Sequence, residues 1–303
     1  MASTELLFDI TLGSLLLILA GAALHVRQLY TGIILFIAFG LMLALTWARL
    51  GAIDLALAEA AIGAGLTGVL LLAALGRGHQ QAATAPPTPL SNLTAGLLGT
   101  LVTLLLLRAV VPLEQGPLIL PDMVAEQLDA SGVSHPVTAV LLNFRAWDTL
   151  LELVVLLLAV LGVRQLQPNS GRPPELWALL RAWSRILAPL SIILAGYLLW
   201  RGSHAPGGAF QAGALLAAGI VVLRLAGLLP LLQWRYWPIR AALLGGVALF
   251  LAVAAATLWL GDGWLQLPVA WSGPLILLIE VAATLSIAVS LSLLVVGERE
   301  ELG

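Results

Sequence analysis

The sequence contains no cysteine and no lysine. Without thiols it cannot form a disulfide, a thiolate zinc site or an iron–sulfur cluster. Its four histidines, at positions 25, 79, 135 and 204, show no metal-ligand spacing, so no metal or cofactor is expected. All 14 basic residues are arginines scattered singly along the chain, and against 16 acids they leave a net charge of -2. No basic arm or cluster stands out, which argues against a nucleic-acid partner. Charge of either sign is scarce, at 10% of residues against roughly 25% in soluble domains. Apolar residues take its place: they make up 60% of 303 residues, and the mean hydropathy is +1.03. The chain is therefore an all-α polytopic integral membrane protein, and any redox or catalytic chemistry belongs to other chains.

A helix needs about 20 apolar residues to cross the hydrocarbon. Runs of that kind fall near 6–25, 30–48, 53–75, 92–112, 138–163, 180–200, 209–232, 239–261 and 273–297, which predicts about nine transmembrane helices. The first run is longer than a signal-peptide core, lacks a basic leader and contains Asp9, so it is expected to be retained. With the N-terminus outside and the C-terminus cytoplasmic, Arg27, Arg77, Arg164, Arg172, Arg181, Arg185, Arg235, Arg240 and Arg299 lie on the cytoplasmic side. Only Arg49 and Arg201 then lie clearly outside, as the positive-inside rule requires. Tryptophans such as Trp200, Trp237 and Trp271 fall near predicted helix ends, where their amphipathic rings favour the headgroup level. The connection 113–137 is acidic, with Glu114, Asp122, Glu126 and Asp129 and no basic residue, and reads as a solvated outer loop that could also attract cations or a partner.

Two connections, Gln80–Pro89 and Gln167–Pro174, are rich in proline and small residues and read as extended linkers. They divide the chain into units of three, two and four helices, at 1–79, 90–166 and 175–303.

Ionisable residues inside the membrane cost about 2.5–3.5 kcal/mol on insertion scales, so each needs a partner, water or a task. The third run opens with Asp54 near its outer end, and Glu59 follows about 7.5 Å deeper, rotated by roughly 140°. Gly63, Gly65 and Gly68 after them form a small-residue surface that lets another helix approach and bury Glu59. In the fifth run Arg145, Asp148 and Glu152 share one stripe at spacings of three and four. An arginine beside two carboxylates can hold one ionised and leave the other to exchange protons; equally, the trio can serve only to pin the helix. Pro206, Gly207 and Gly208 break the chain before the seventh run, and broken backbone at membrane depth survives only where protein buries it or it lines a cavity. His204 beside the break is a candidate titrating group or an interfacial turn residue. Glu280 stands alone in the ninth run, above Thr284, Ser286, Ser290 and Ser292, and must face the protein interior; the hydroxyls read as helix-to-helix hydrogen bonding. Asp9 is a further candidate for a pathway or gate.

Three strings carry a family resemblance. DLALAEAAIGAGLTG at 54–68 resembles the MbhD-type three-helix module of the large A subunit of Mrp-type multisubunit Na+/H+ antiporters. LLNFRAWDTLLELVVLLLAVLGV at 141–163 resembles the adjoining two-helix MbhE-type module, and HAPGGAFQAGALLAA at 204–218 resembles a glycine-rich string of the Mrp B subunit, with Ala209 and Ala212 at positions where glycine is expected. The resemblance implies an accessory subunit of a monovalent cation/proton antiporter of the prokaryotic cell membrane, working with a large lysine-containing antiporter-like subunit and moving Na+ and H+. It also implies that Asp54, Glu59, Arg145, Asp148 and Glu152 serve ion or proton translocation; Glu280, from its isolated place in the ninth run, is a further candidate for the same role. The same modules occur in redox-driven hydrogenases and complex I-like pumps, which is the alternative setting.

Overall fold

The computed structural model describes residues 2–78, 89–111, 119–165, 178–229, 232–260 and 263–296, and every regular element among them is helical. The expected linkers at 80–89 and 167–174 lie outside these residues, apart from Pro89. Two long helices, α1 (Ala2–His25) and α2 (Leu29–Arg49), form a hairpin. The third span is composite: α3 (Ile53–Ala58), a π-helical segment Glu59–Leu66, and α4 (Thr67–Gly78). Then follow α5 (Pro89–Val110) and α6 (Ile119–Gln127), the latter ending in a 3-10 turn Leu128–Ser131. The next span begins with a short helix α7 (Pro136–Ala139) and a π turn Val140–Phe144, and continues as α8 (Ala146–Gln165). The last four helices are α9 (Ala178–Arg201), α10 (Ala209–Leu225), α11 (Trp237–Leu260) and α12 (Ser272–Val296).

Eight of these spans are long and apolar enough to cross a membrane, and α10, with 17 residues, is a shorter apolar helix at the place of the expected ninth. The run 209–232 is cut short at Gly227, whose φ of 68° is the left-handed conformation of a helix C-terminus. There Leu228 N–H returns to Leu223 O at 2.9 Å and Gly227 N–H to Arg224 O at 3.1 Å. Gly51, with φ of 80°, ends α2 in the same way. The acidic connection expected as a loop instead contains α6, which carries Asp122 and Glu126.

The fifth run is also not one helix. At Arg145 the backbone leaves the helical region (φ -130°, ψ 36°), and its N–H bonds to Val140 O at 2.7 Å. A break frees carbonyls that need new donors. Thr149 Oγ1 donates to Leu141 O at 2.6 Å and so supplies one.

The core is built around α12. Its Ile276, Ile279, Ala283, Ile287 and Leu291 are buried against Leu150 and Leu153 of α8, Ala214 and Ala217 of α10, and Phe250 and Ala254 of α11. Ala61, Ile62 and Leu66 of the π segment join the same cluster, so the N-terminal unit docks on the C-terminal one. Close approach depends on glycine: a Cβ on Gly213 would stand 2.7 Å from Ile287 Cγ2, and one on Gly246 2.7 Å from Ser286 Cβ. Of the expected hydroxyl stripe on α12, Ser286 bonds across to Leu243 O, whereas Ser290 and Ser292 bond back to their own helix at Ser286 O and Ala288 O. In contrast α5 buries none of its described side chains against the rest of the chain.

Candidate functional site

Three stretches far apart in sequence meet at the end of the bundle where α3, α8, α10 and α12 begin. Asp54, in the first turn of α3, is the joint. Its Oδ2 lies 2.9 Å from His135 Nε2, and its Oδ1 accepts from Gly207 N–H at 3.1 Å. Gln211 Nε2, one turn into α10, donates to the Asp54 carbonyl at 3.4 Å. The His135 and Asp54 side chains are only 13% and 16% exposed, so this pair is shielded from solvent. The α9–α10 connection is held from the other side as well. Ser134 and His135 N–H both donate to Ser203 O, at 3.0 and 3.2 Å, and Thr138 Oγ1 donates to Gly202 O. Within the connection, Gly208 N–H returns to Leu198 O at 2.9 Å, closing the chain back onto α9.

Glu280 lies beneath this connection. It is 2% exposed, it lies against the start of α10, and its Oε2 is buried with no hydrogen-bond partner. Gly202 and Gly208 leave room for it: a Cβ on either would stand 3.1 or 3.2 Å from Glu280 Oε1. A carboxylate at a helix N-terminus is favoured by the helix dipole, but a buried oxygen without a donor is expensive. Such a group calls for a proton or a cation as its counter-charge.

A second feature lies deeper. A cavity of about 540 Å³ opens between the π segment, α8, α10 and α12, with Ile62, Phe210, Ile287 and Leu291 as apolar walls and Asp148 and Glu152 as its acidic residues. Asp148 is held by Arg145 at 2.6 Å, and both side chains are well exposed, at 45% and 70%. The predicted stripe thus brings Arg145 and Asp148 together, while Glu152, one turn on, lines the cavity without an ion pair among the described residues.

Glu59 stands apart from both. It starts the π segment and folds over Gly63, where a Cβ would come within 2.3 Å of its Oε1, and it faces Gly40 of α2. Asp9 is paired with Arg49, its Oδ1 2.8 Å from Nε, and Glu5 adds a second acid at 3.6 Å. This group ties α1 to the end of α2, and nothing among the described residues links it to the Asp54 joint. His204 is exposed; it approaches Ser203 Oγ at 3.1 Å and the Trp200 ring edge-on at 4.6 Å. The histidine that enters the joint is His135, which sequence reasoning did not single out. Its local signal is the following Pro136, which occupies the first turn of α7. No local signal points to its partner Asp54, 81 residues away.

Residues 14–80 match the MbhD family, the D component of MBH, and residues 179–298 match a domain described as related to the MnhB subunit of Na+/H+ antiporter. A solved chain, from the structure of the Mrp complex of Dietzia sp. DQ12-45-1b, shares the fold of this chain with a TM-score of 0.75 at 24% identity. That likeness covers 96% of this chain and 35% of the solved one, so this chain spans about a third of its relative's length. No curated protein matches it. Its eight helices long and apolar enough to cross a membrane, counted among the described residues, make it a multi-pass membrane protein. Asp54 and Glu59 fall in its MbhD-type segment, Gly207, Gln211 and Glu280 in its MnhB-type domain, and His135 between the two matches.

Proposed function

We propose that this chain is a subunit of a multisubunit monovalent cation/proton antiporter, with Na+ as the cation, and that its intramembrane carboxylates take part in moving the ion or the proton. The observation that carries this reading is Glu280: a carboxyl within the segment matching the antiporter-related domain, buried, with one oxygen unpartnered. Glu59, Asp148 and Glu152 supply further carboxylates, the last two on a cavity where three segments of the chain meet. Arg145 pairs with Asp148 beside Glu152, and Asp54 anchors the outer joint. The N-terminus lies outside and the arginine-rich end faces the cytoplasm, and residues 90–166 form an MbhE-like unit between the other two. The chain works with further antiporter subunits, among them a large one, and transports only as part of that assembly.

The test is Na+-dependent proton flux in vesicles carrying the intact complex, with Glu59→Gln, Glu152→Gln and Glu280→Gln made singly. Loss of flux with the complex assembled supports the reading, and normal flux in all three variants refutes it. A second reading, the membrane arm of a redox-driven hydrogenase or complex I-like pump, is favoured by the MBH-type match over 14–80. It predicts hydrogenase or dehydrogenase subunits encoded beside this gene and co-purifying with the chain; the antiporter reading predicts neither.

A further inference from the structure

We propose that His135 is a positioning residue: its bond to Asp54 latches the Gly202–Gly208 connection in place and so sets the surroundings of the Glu280 carboxyl. The contacts form an unbroken chain. His135 Nε2 holds Asp54 Oδ2, Asp54 Oδ1 takes the Gly207 N–H, and Gly202 and Gly208 crowd Glu280 Oε1. The His135 backbone bonds to the same connection at Ser203 O, and Thr138, one turn on, bonds to Gly202 O. One short segment, 134–138, therefore grips the connection from one side, and through Asp54 it determines what holds the connection from the other. This inference rests on the reading of Glu280 as the exchanging carboxyl.

A carboxylate only accepts, so Nε2 carries the hydrogen in this bond. A protonated imidazole makes the bond charge-assisted and roughly twice as strong as the neutral one. Ionisable groups on the neighbouring elements are Asp129 before His135, Arg201 and His204 on the α9–α10 connection, Glu280 on α12 and Glu59 deeper in the third span. Among the described residues Asp54 is the ion-pair partner of His135. Arg201 lies over the Tyr197 ring at 5.9 Å, and His204 turns to Ser203 and Trp200.

The experiment is hydrogen exchange of peptides covering 202–210 in the purified complex, with Na+-dependent proton flux followed in parallel. His135→Ala raises exchange of the Gly207 amide at least tenfold. His135→Gln keeps a donor at the same reach: the connection stays protected as in the wild type and flux is retained. Exchange in His135→Gln raised as far as in His135→Ala, or wild-type exchange in His135→Ala, overturns the inference; if His135→Ala does not assemble, His135→Phe, which fills the site without a donor, is read in its place. If Glu280→Gln leaves flux unchanged while the His135 variants alter exchange as described, the reading of Glu280 fails and the latch stands.

Discussion

Gly207 and Gly208 serve different ends within one turn. A Cβ on Gly207 would stand 2.5 Å from Leu198 O, a backbone atom that cannot step aside, whereas Gly208 has a φ of 115° that side chains with a Cβ rarely adopt. Each alanine substitution should destabilise the protein by roughly 1–3 kcal/mol, lowering the Tm of the complex in a thermal melt. Gly245, inside α11 with nothing within 4 Å of its Cβ position, is the contrast. Gly245→Ala should leave the Tm unchanged or raise it slightly, since alanine is the better helix former by about 1 kcal/mol. The proline–glycine string was legible in the sequence as a break, because the chemistry of the break is local. Ala209 and Ala212 fit buried positions, so the glycine that matters is the one at the left-handed φ. The partners of Asp54 were not legible, because hydrogen bonds over 81 and 153 residues leave no periodic trace. His204, next to the break, drew attention that belongs to His135.

At the scale of elements, hydropathy runs located the spans to within a few residues, since bilayer thickness fixes the length of an apolar helix. What hydropathy could not show was the winding inside a span. Residues 59–66 and 140–144 are π-helical, and the sequences EAAIGAGL and VLLNF suit an α-helix equally well. Tertiary contacts decide there: Ala61, Ile62 and Leu66 pack against the buried core cluster beside α10, while Glu59 faces α2. A π segment accommodates residues that a regular α ladder would not, and it is often found at functional sites. Deleting Ala61 should restore α winding and turn Glu59 by about 100° relative to the residues that follow. Flux should then fall at least tenfold while the complex still co-purifies; unchanged flux would mean that the register of this segment does not matter. The end of α10 shows the same limit, because the apolar run continues past Gly227 and only the left-handed backbone there marks the stop.

At the scale of the molecule, charge is distributed between the two ends. Arg164, Arg181, Arg185, Arg224, Arg235 and Arg240 lie at or near the end where α8 and α10 finish and α9 and α11 begin. The Asp54 joint, Asp148 and Arg145 lie toward the other. Because the chain has no native cysteine, single-cysteine variants report topology cleanly. Ser203→Cys should react with an impermeant thiol reagent from outside intact cells and Gln233→Cys only after lysis; the reverse pattern would invert the proposed orientation. The exposed faces of α1 and α5 fit a chain that meets lipid or other subunits on one side, while α12 sits at the centre with most of its length buried. This distribution places the buried carboxyl Glu280 where three segments of one chain converge. The most direct test of the account is Na+-dependent proton flux in vesicles carrying the complex with Glu280→Gln, beside Glu280→Asp. The account predicts at least a tenfold loss in Glu280→Gln and partial retention in Glu280→Asp, with both complexes assembled. Wild-type flux in Glu280→Gln would contradict it.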